Sequence, residues 1–185
     1  AGNLLVNTII MTKVNKNNVD FFDNQSESIF NNPTTKFYHM AFVGKTDEQF
    51  VKYIVDQAGI NSRSKVLDIG CGSGYLVNQL SEFCDAEGIT NSSVNINVCK
   101  GLYPNNKFTL GDMESFESKD KTHCLFLESF FYGDIEKSFK NCYNNLSRGG
   151  ILFMKEWCLL SNMSRNCIII KKLHSIFVTH IILLH

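Results

Sequence analysis

The sequence predicts an α/β fold built on a doubly wound, parallel sheet, and three observations carry that expectation. Short apolar segments of strand length alternate with segments of helical periodicity between residues 46 and 157. Such alternation packs as a parallel sheet with right-handed crossovers. A glycine cluster at 70, 72 and 74 follows the first strand directly and leads into a helix. At 185 residues, with no internal repeat and no obvious linker, the chain is near the size of one domain and long enough to bury a core without staples.

The elements follow in order. Residues 1–36 read as an N-terminal arm, partly disordered. Ala1–Ile10 lacks a positive region ahead of its apolar stretch and does not read as a signal peptide, and Met11 is a plausible true start. Residues 11–36 are polar and Asn-rich, with Asp20-Phe21-Phe22-Asp23 as one aromatic spot, and read as a loose arm with a short helix. Thr46-Asp47-Glu48-Gln49 fits a capping box. Phe50, Val51, Ile54, Val55 and Ala58 then recur at helical spacing, and Gly59 suits the C-terminal cap. Lys65–Ile69 is the first strand, and Leu76, Leu80 and Phe83 mark the helix after the glycines. Cys84–Ile89 is the second strand, Ser92–Lys100 a helix, and Tyr103-Pro104-Asn105-Asn106 a turn. Lys107–Leu110 and His123–Leu127 are the third and fourth strands. Ile135, Phe139, Cys142 and Leu146 recur at helical spacing, and Arg148-Gly149-Gly150 turns into a fifth strand, Ile151–Trp157. Residues 161–185 form an atypical apolar tail. Ile168–Ile170 and Ile181–Leu184 are strongly apolar, but Lys171 and Lys172 separate them. Neither run approaches the ~20 residues a membrane span needs.

Composition excludes several functions. Lys+Arg and Asp+Glu are both 18, so the chain lacks the basic excess that phosphate contacts require, and no nucleic-acid partner is expected. Seven Cys, an odd number with no C-x-x-C, suggest neither a disulfide framework nor a zinc site. They read as small buried hydrophobes in a reducing compartment, so a cytoplasmic location is expected. No metal is expected.

Val66-Leu67-Asp68-Ile69-Gly70-Cys71-Gly72-Ser73-Gly74 is the most informative stretch. Glycines permit positive φ and close approach of backbone to a ligand. A ligand there sits at the carboxyl end of the strand, by the N-terminus of the next helix. Nicotinamide and flavin dinucleotides want G-x-G-x-x-G, whose third glycine falls on Tyr75 here. The spacing is instead G-x-G-x-G, with Asp68 two residues ahead, and a loop with no pyrophosphate to cradle suits S-adenosylmethionine (SAM). A glycine-rich turn with no ligand is the plain alternative.

VLDIGCGSG resembles motif I of class I SAM-dependent methyltransferases, and the similarity runs over about residues 37–157. The resemblance implies a Rossmann-like doubly wound sheet of strand order 3-2-1-4-5-7-6, with residues 37–160 as the SAM-binding domain. It places Asp68, Gly70, Cys71, Gly72 and Gly74 against the cofactor. Glu87-Gly88-Ile89-Thr90-Asn91-Ser92 resembles the G-[IV]-T-x-S signature of a particular branch: sterol C-methyltransferases, geranyl diphosphate C-methyltransferases and cyclopropane fatty acid synthases. That implies a ribose contact from Thr90 and from Asn95, which stands where the branch has Gln; Glu87 is an alternative partner. Gly111-Asp112-Met113-Glu114 resembles the adenine-edge loop, with Asp112 accepting from the adenine amino group and Met113 packed on the ring. Glu114 and the charges after it read as a solvated loop. Glu128-Ser129-Phe130-Phe131-Tyr132-Gly133-Asp134 resembles the E-S-x-x-Y-x-D segment of the same branch, and Phe37-Tyr38-His39-Met40 its closing arm.

These residues suit C-methylation of an isoprenoid or sterol-like alkene. The π bond attacks the methyl group and leaves a carbocation, which aromatic faces stabilise. Phe130, Phe131, Tyr132 and Tyr38 are candidates for that task, with packing under the next helix as the plain reading of the aromatic run. Glu128, at the end of a buried strand, is the candidate base. With an amine or hydroxyl acceptor, Glu128 would bind or deprotonate it. A diphosphate acceptor needs cationic anchors and a metal, and the scattered Lys and Arg supply no such site. A SAM-binding chain without catalysis is the rival from another class. The sheet reads as truncated after the fifth strand, because only 28 residues follow Trp157. Ile151–Trp157 would then be an open edge inviting self-association, unless the apolar tail patches it.

Overall fold

The computed structural model describes residues 47–157, 165–173 and 176–183. The first helix, α1 (Asp47–Ala58), precedes β1 (Lys65–Ile69), α2 (Tyr75–Ser81), β2 (Asp85–Thr90), α3 (Ser93–Leu102) and β3 (Lys107–Leu110). Then come β4 (Lys121–Leu127), a 3₁₀ turn (Phe130–Tyr132), α4 (Ile135–Asn145), β5 (Leu146–Trp157), β6 (Arg165–Leu173) and β7 (Ile176–Leu183). They form one sheet in the order β3-β2-β1-β4-β5-β6-β7.

The five parallel strands stand where the sequence puts them, β1 paired with β2 on one side and β4 on the other. Burial explains the continuous apolar runs. Parallel strands are covered on both faces, so alternate residues feed two separate cores. Val66, Leu125 and Phe153 pack with Ile54 of α1, Leu76 and Leu80 of α2 and Ile96 of α3. Leu67, Cys124, Phe126 and Leu152 pack on the opposite face with Cys142 of α4. Asp134 caps α4 by accepting from the Lys137 backbone N–H at 3.0 Å.

Two elements differ from expectation. β5 starts at Leu146 rather than Ile151, because Leu146 already pairs with Lys121 ahead of a register shift in β4. The larger correction concerns the sheet edge. β5 is not open: β6 pairs with it antiparallel from Ile151↔Lys171 to Trp157↔Arg165, and β7 pairs with β6. The tail does patch the edge, since an apolar, β-branched run has high strand propensity and β5 offers a full row of backbone groups. The hairpin joins in sequential order, with β6 beside β5. The expected route to self-association through Ile151–Trp157 is thereby closed. Among the described residues, no helix is long and apolar enough to cross a membrane.

Candidate active site

The turn after β1 is held by three glycines at positive φ, each for a different reason. Gly70 (φ 79°) passes so close to Ser129 that a Cβ would lie 2.4 Å from the Ser129 Cβ. The Ser129 hydroxyl donates to the Ile69 carbonyl, and the Gly70 and Cys71 N–H groups both donate to the Ile89 carbonyl, at 2.9 and 3.1 Å. Gly74 (φ 81°) is the N-cap of α2, and a Cβ there would meet the Phe108 ring at 2.6 Å and Cys99 Sγ at 3.0 Å. Gly72 (φ 53°) differs: a Cβ would meet nothing within 4 Å. The loop is therefore pinned at both ends and faces open space in the middle. Beneath it, Cys71 is buried against Cys99. A hydrogen bond with the Cys99 thiol, then burial, push the Cys71 thiol well above its ordinary value. Cys99 Sγ in turn donates to the Gly72 carbonyl at 3.2 Å.

Asp68 lies two residues before the turn, on the same pleat face as Val66. It is buried, and among the described residues no hydrogen bond or ion pair reaches its carboxylate. Burial raises its pKa to about 7. A buried carboxylate is expensive without a partner, and among the described residues no cation stands beside this one.

A second incomplete group lies at the end of β2. Thr90 Oγ1 accepts from the Ser92 N–H at 3.2 Å, and Ser92 Oγ caps α3 by accepting from the Asn95 N–H at 3.0 Å. This chain of turns buries Asn95, whose Oδ1 has no hydrogen-bond partner among the described residues. Glu87 is engaged elsewhere. It pairs with Lys121 at 2.8 Å and accepts from Ser118, on the pleat face opposite Thr90.

The next loop is anchored beside β2 by the Gly111 N–H, which donates to the Thr90 carbonyl at 2.9 Å. Asp112 is exposed, with Oδ1 accepting from the Glu114 N–H at 2.8 Å. Met113 is half-buried against the α4-side core. Glu114 is not the solvated charge its surroundings suggest. Its carboxylate accepts from the Asp134 N–H at 2.7 Å and faces Lys137 at 3.5 Å, tying this loop to the start of α4.

Past β4 the chain makes a sharp turn at Glu128, which holds a left-handed φ of 60° without being glycine. Its carboxylate forms an ion pair with Lys155 of β5, whose side chain is 1% exposed against 20% for Glu128. Strain of this kind in a side-chain-bearing residue persists only where the surroundings enforce it. Phe130 points away from this corner. It is buried edge-on between Phe126 and Phe139, each centroid 4.9 Å away, so the packing reading holds for this ring and the cation-stabilising role does not. Tyr132 is 37% exposed. Tyr38 and His39 lie outside the described residues, as does the Phe131 side chain.

The geometry fits an adenosyl cofactor at three points: space over Gly72, a partnerless carboxylate at Asp68 and an orphaned acceptor at Asn95. Comparison with known proteins agrees. Residues 66–150 match the methyltransferase domain family. SAM is the cofactor of its class. The sterol 24-C-methyltransferase of Eremothecium gossypii is 27% identical over 166 residues, covering 75% of this chain. The chain spans 44% of that relative's length. Among solved structures, the [4+2]-cyclase SpnF superposes with a TM-score of 0.64 at 16% identity, covering 80% of this chain and 62% of that one. Geranyl diphosphate C-methyltransferase from Streptomyces coelicolor, solved with Mg²⁺, geranyl diphosphate and S-adenosyl-L-homocysteine, does so with 0.58 at 16%, covering 74% and 65%. These superpositions establish the Rossmann-like methyltransferase fold.

Sequence reasoning missed Lys155 and the linking role of Glu114 in this domain. A single Lys in the run Ile151–Trp157 carries no signal of its own, because its partner Glu128 lies 27 residues earlier.

Proposed function

We propose that this domain binds SAM and transfers its methyl group to a small, apolar acceptor, best matched by an isoprenoid or sterol-like alkene. The observation that carries the cofactor assignment is the pair of unmet polar groups, Asp68 and Asn95 Oδ1, flanking the open backbone at Gly72. The acceptor class draws support from the sterol C-methyltransferase relative and from the carboxylate at the end of β4.

In this reading the open Gly72 backbone admits the cofactor's amino acid end, and Asp68 takes its ammonium group. Asn95 and Thr90 hold the ribose, while Asp112 and Met113 meet the adenine. When bound, SAM supplies an electrophilic methyl group. Tyr132 offers an aromatic face to the positive charge that develops on an alkene acceptor. Glu128 receives the proton the methylated acceptor sheds. With an amine or hydroxyl acceptor, the same carboxylate binds or deprotonates the nucleophile.

Two variants separate these roles. Thr90→Ala with Asn95→Ala removes both groups assigned to the ribose. Leaving ribose hydroxyls unpaired costs about 1–3 kcal/mol, so S-adenosylhomocysteine affinity is expected to fall roughly 5- to 150-fold by calorimetry. Unchanged affinity would move the ribose contact elsewhere. Glu128→Gln is expected to lower turnover by roughly 100-fold or more while affinity stays within about twofold. Tritiated methyl transfer into a neutral-lipid extract reads the first quantity. An equal loss in both would make Glu128 a cofactor ligand instead.

A further inference from the structure

We propose that Lys155 is a positioning residue that holds Glu128 at the acceptor end of the sheet. The proposal rests on the assignment of Glu128 to the acceptor made above. It starts from two contacts that one residue makes to another. The Lys155 carbonyl accepts from the Glu128 N–H at 2.8 Å, and the Lys155 ammonium pairs with Glu128 Oε1. Main chain and side chain of Glu128 are thus gripped by the same residue of the neighbouring strand.

The position of the pair gives this grip a purpose. Glu128 follows the last residue of β4, Leu127, which sits in register with Lys155 on β5. The next residue, Ser129, reaches back to the Ile69 carbonyl and closes on Gly70 of the cofactor loop. The carboxylate therefore stands one residue from the cofactor loop, at the carboxyl ends of the strands, where α/β sheets bind their ligands. Its left-handed backbone is costly for a residue with a side chain, and the Lys155 contacts are what fix it there.

Burial argues that the ammonium is present for more than stability. Lys155 is 1% exposed, and a buried ion pair is often no more stabilising than apolar residues of the same volume. Phe153, on the same pleat face of β5 as Lys155, is fully buried in an apolar core, so an apolar residue at 155 would continue that face. What such a residue could not do is aim a carboxylate. The pair also balances its charges locally, so the acceptor corner carries no net charge from these two groups, which suits a neutral acceptor better than a cationic amine.

The test uses the full chain and three variants: Lys155→Met, Lys155→Arg, and Lys155→Met combined with Glu128→Gln. Readouts are tritiated methyl transfer from SAM into a neutral-lipid extract, S-adenosylhomocysteine affinity and thermal melting. Lys155→Met is expected to lower kcat on the order of 100-fold, the cost of a misplaced group, with cofactor affinity held within about twofold. Lys155→Arg keeps the charge and should recover part of the loss. The double variant removes both charges, so it guards against misfolding from an unpaired carboxylate, and its kcat should match Glu128→Gln alone. Additive losses, or a Lys155→Met enzyme with parental kcat, would overturn the positioning role while leaving the methyl-transfer assignment intact. A parent chain that binds S-adenosylhomocysteine but transfers no methyl group to neutral lipid would overturn the acceptor assignment and this inference with it.

Discussion

Gly72→Val is expected to abolish cofactor binding and leave the domain folded. The two halves of that result come from different features of one residue. A Cβ at position 72 would meet no protein atom within 4 Å, so a valine creates no clash in the ligand-free chain. Its cost to folding is the left-handed backbone at φ 53°, about 1–2 kcal/mol for a residue with a side chain. The open space it fills is the space the cofactor needs. Affinity for S-adenosylhomocysteine should fall by more than about 100-fold, a loss of over ~2.7 kcal/mol, with far-UV circular dichroism unchanged. Gly74→Val provides the contrast, because its Cβ would strike the Phe108 ring and Cys99. That variant should lose the fold along with binding. A Gly72→Val chain that binds like the parent would place the cofactor away from this loop.

The contrast between these glycines shows which parts of the site were legible in the sequence. The spacing of Gly70, Gly72 and Gly74 after a buried strand is a local pattern, and local backbone demands leave local signals. The sequence could not show that Gly70 and Gly74 are glycine for packing, since Ser129 and Phe108 lie 59 and 34 residues away. Thr90 and Asn95 were singled out through the resemblance of Glu87–Ser92 to a branch signature, and the fold sets both at one strand–helix turn. Lys155 was not, and neither was Glu114, because each acquires its role from a partner on another element. An isolated charge in sequence reads as solvated until the fold supplies that partner. The β6–β7 hairpin was obscured for a related reason. Lys171 and Lys172 interrupt the apolar run, yet strand pairing depends on backbone groups, which a charged side chain does not remove. The aromatic run after Glu128 shows the reverse failure: a 3₁₀ turn sends its residues in different directions, so Phe130 joins the core while Tyr132 is partly exposed.

Cofactor affinity is expected to rise with pH until about 7 and then level off, with Asp68 as the cause. In the ligand-free domain, burial without a partner raises the Asp68 pKa to about 7, so below that pH the group is mostly protonated. An ammonium group from the cofactor favours the ionised form, so binding must expel the proton. Below pH 7 the association constant should therefore drop by up to about tenfold for each unit of acidification. The plateau ends near pH 8, where an α-amino group begins to lose its own proton. Calorimetry in buffers of different ionisation enthalpy should find nearly one proton released per S-adenosylhomocysteine bound at pH 6, and little at pH 7.5 and above. Asp68→Asn should bind weakly and release none. The same group has the opposite effect on ligand-free stability. A carboxyl whose folded pKa lies above its unfolded value of 3.8 holds its proton better in the folded state. Its contribution is greatest below pH 3.8 and is lost as pH rises through 7, by up to roughly 4 kcal/mol in all. His123 acts in the other sense. It is buried against the Ala58 carbonyl, and burial lowers its pKa, so its contribution is lost as pH falls from 6.5 through the lowered value. The parent stability curve mixes the two, whereas the difference between parent and Asp68→Asn isolates Asp68. That difference should lie near zero below pH 3.8 and turn in favour of Asp68→Asn as pH rises to 7. Proton release that is zero at pH 6 in the parent chain would show that Asp68 stays neutral when the cofactor binds, and that its ammonium partner is another group.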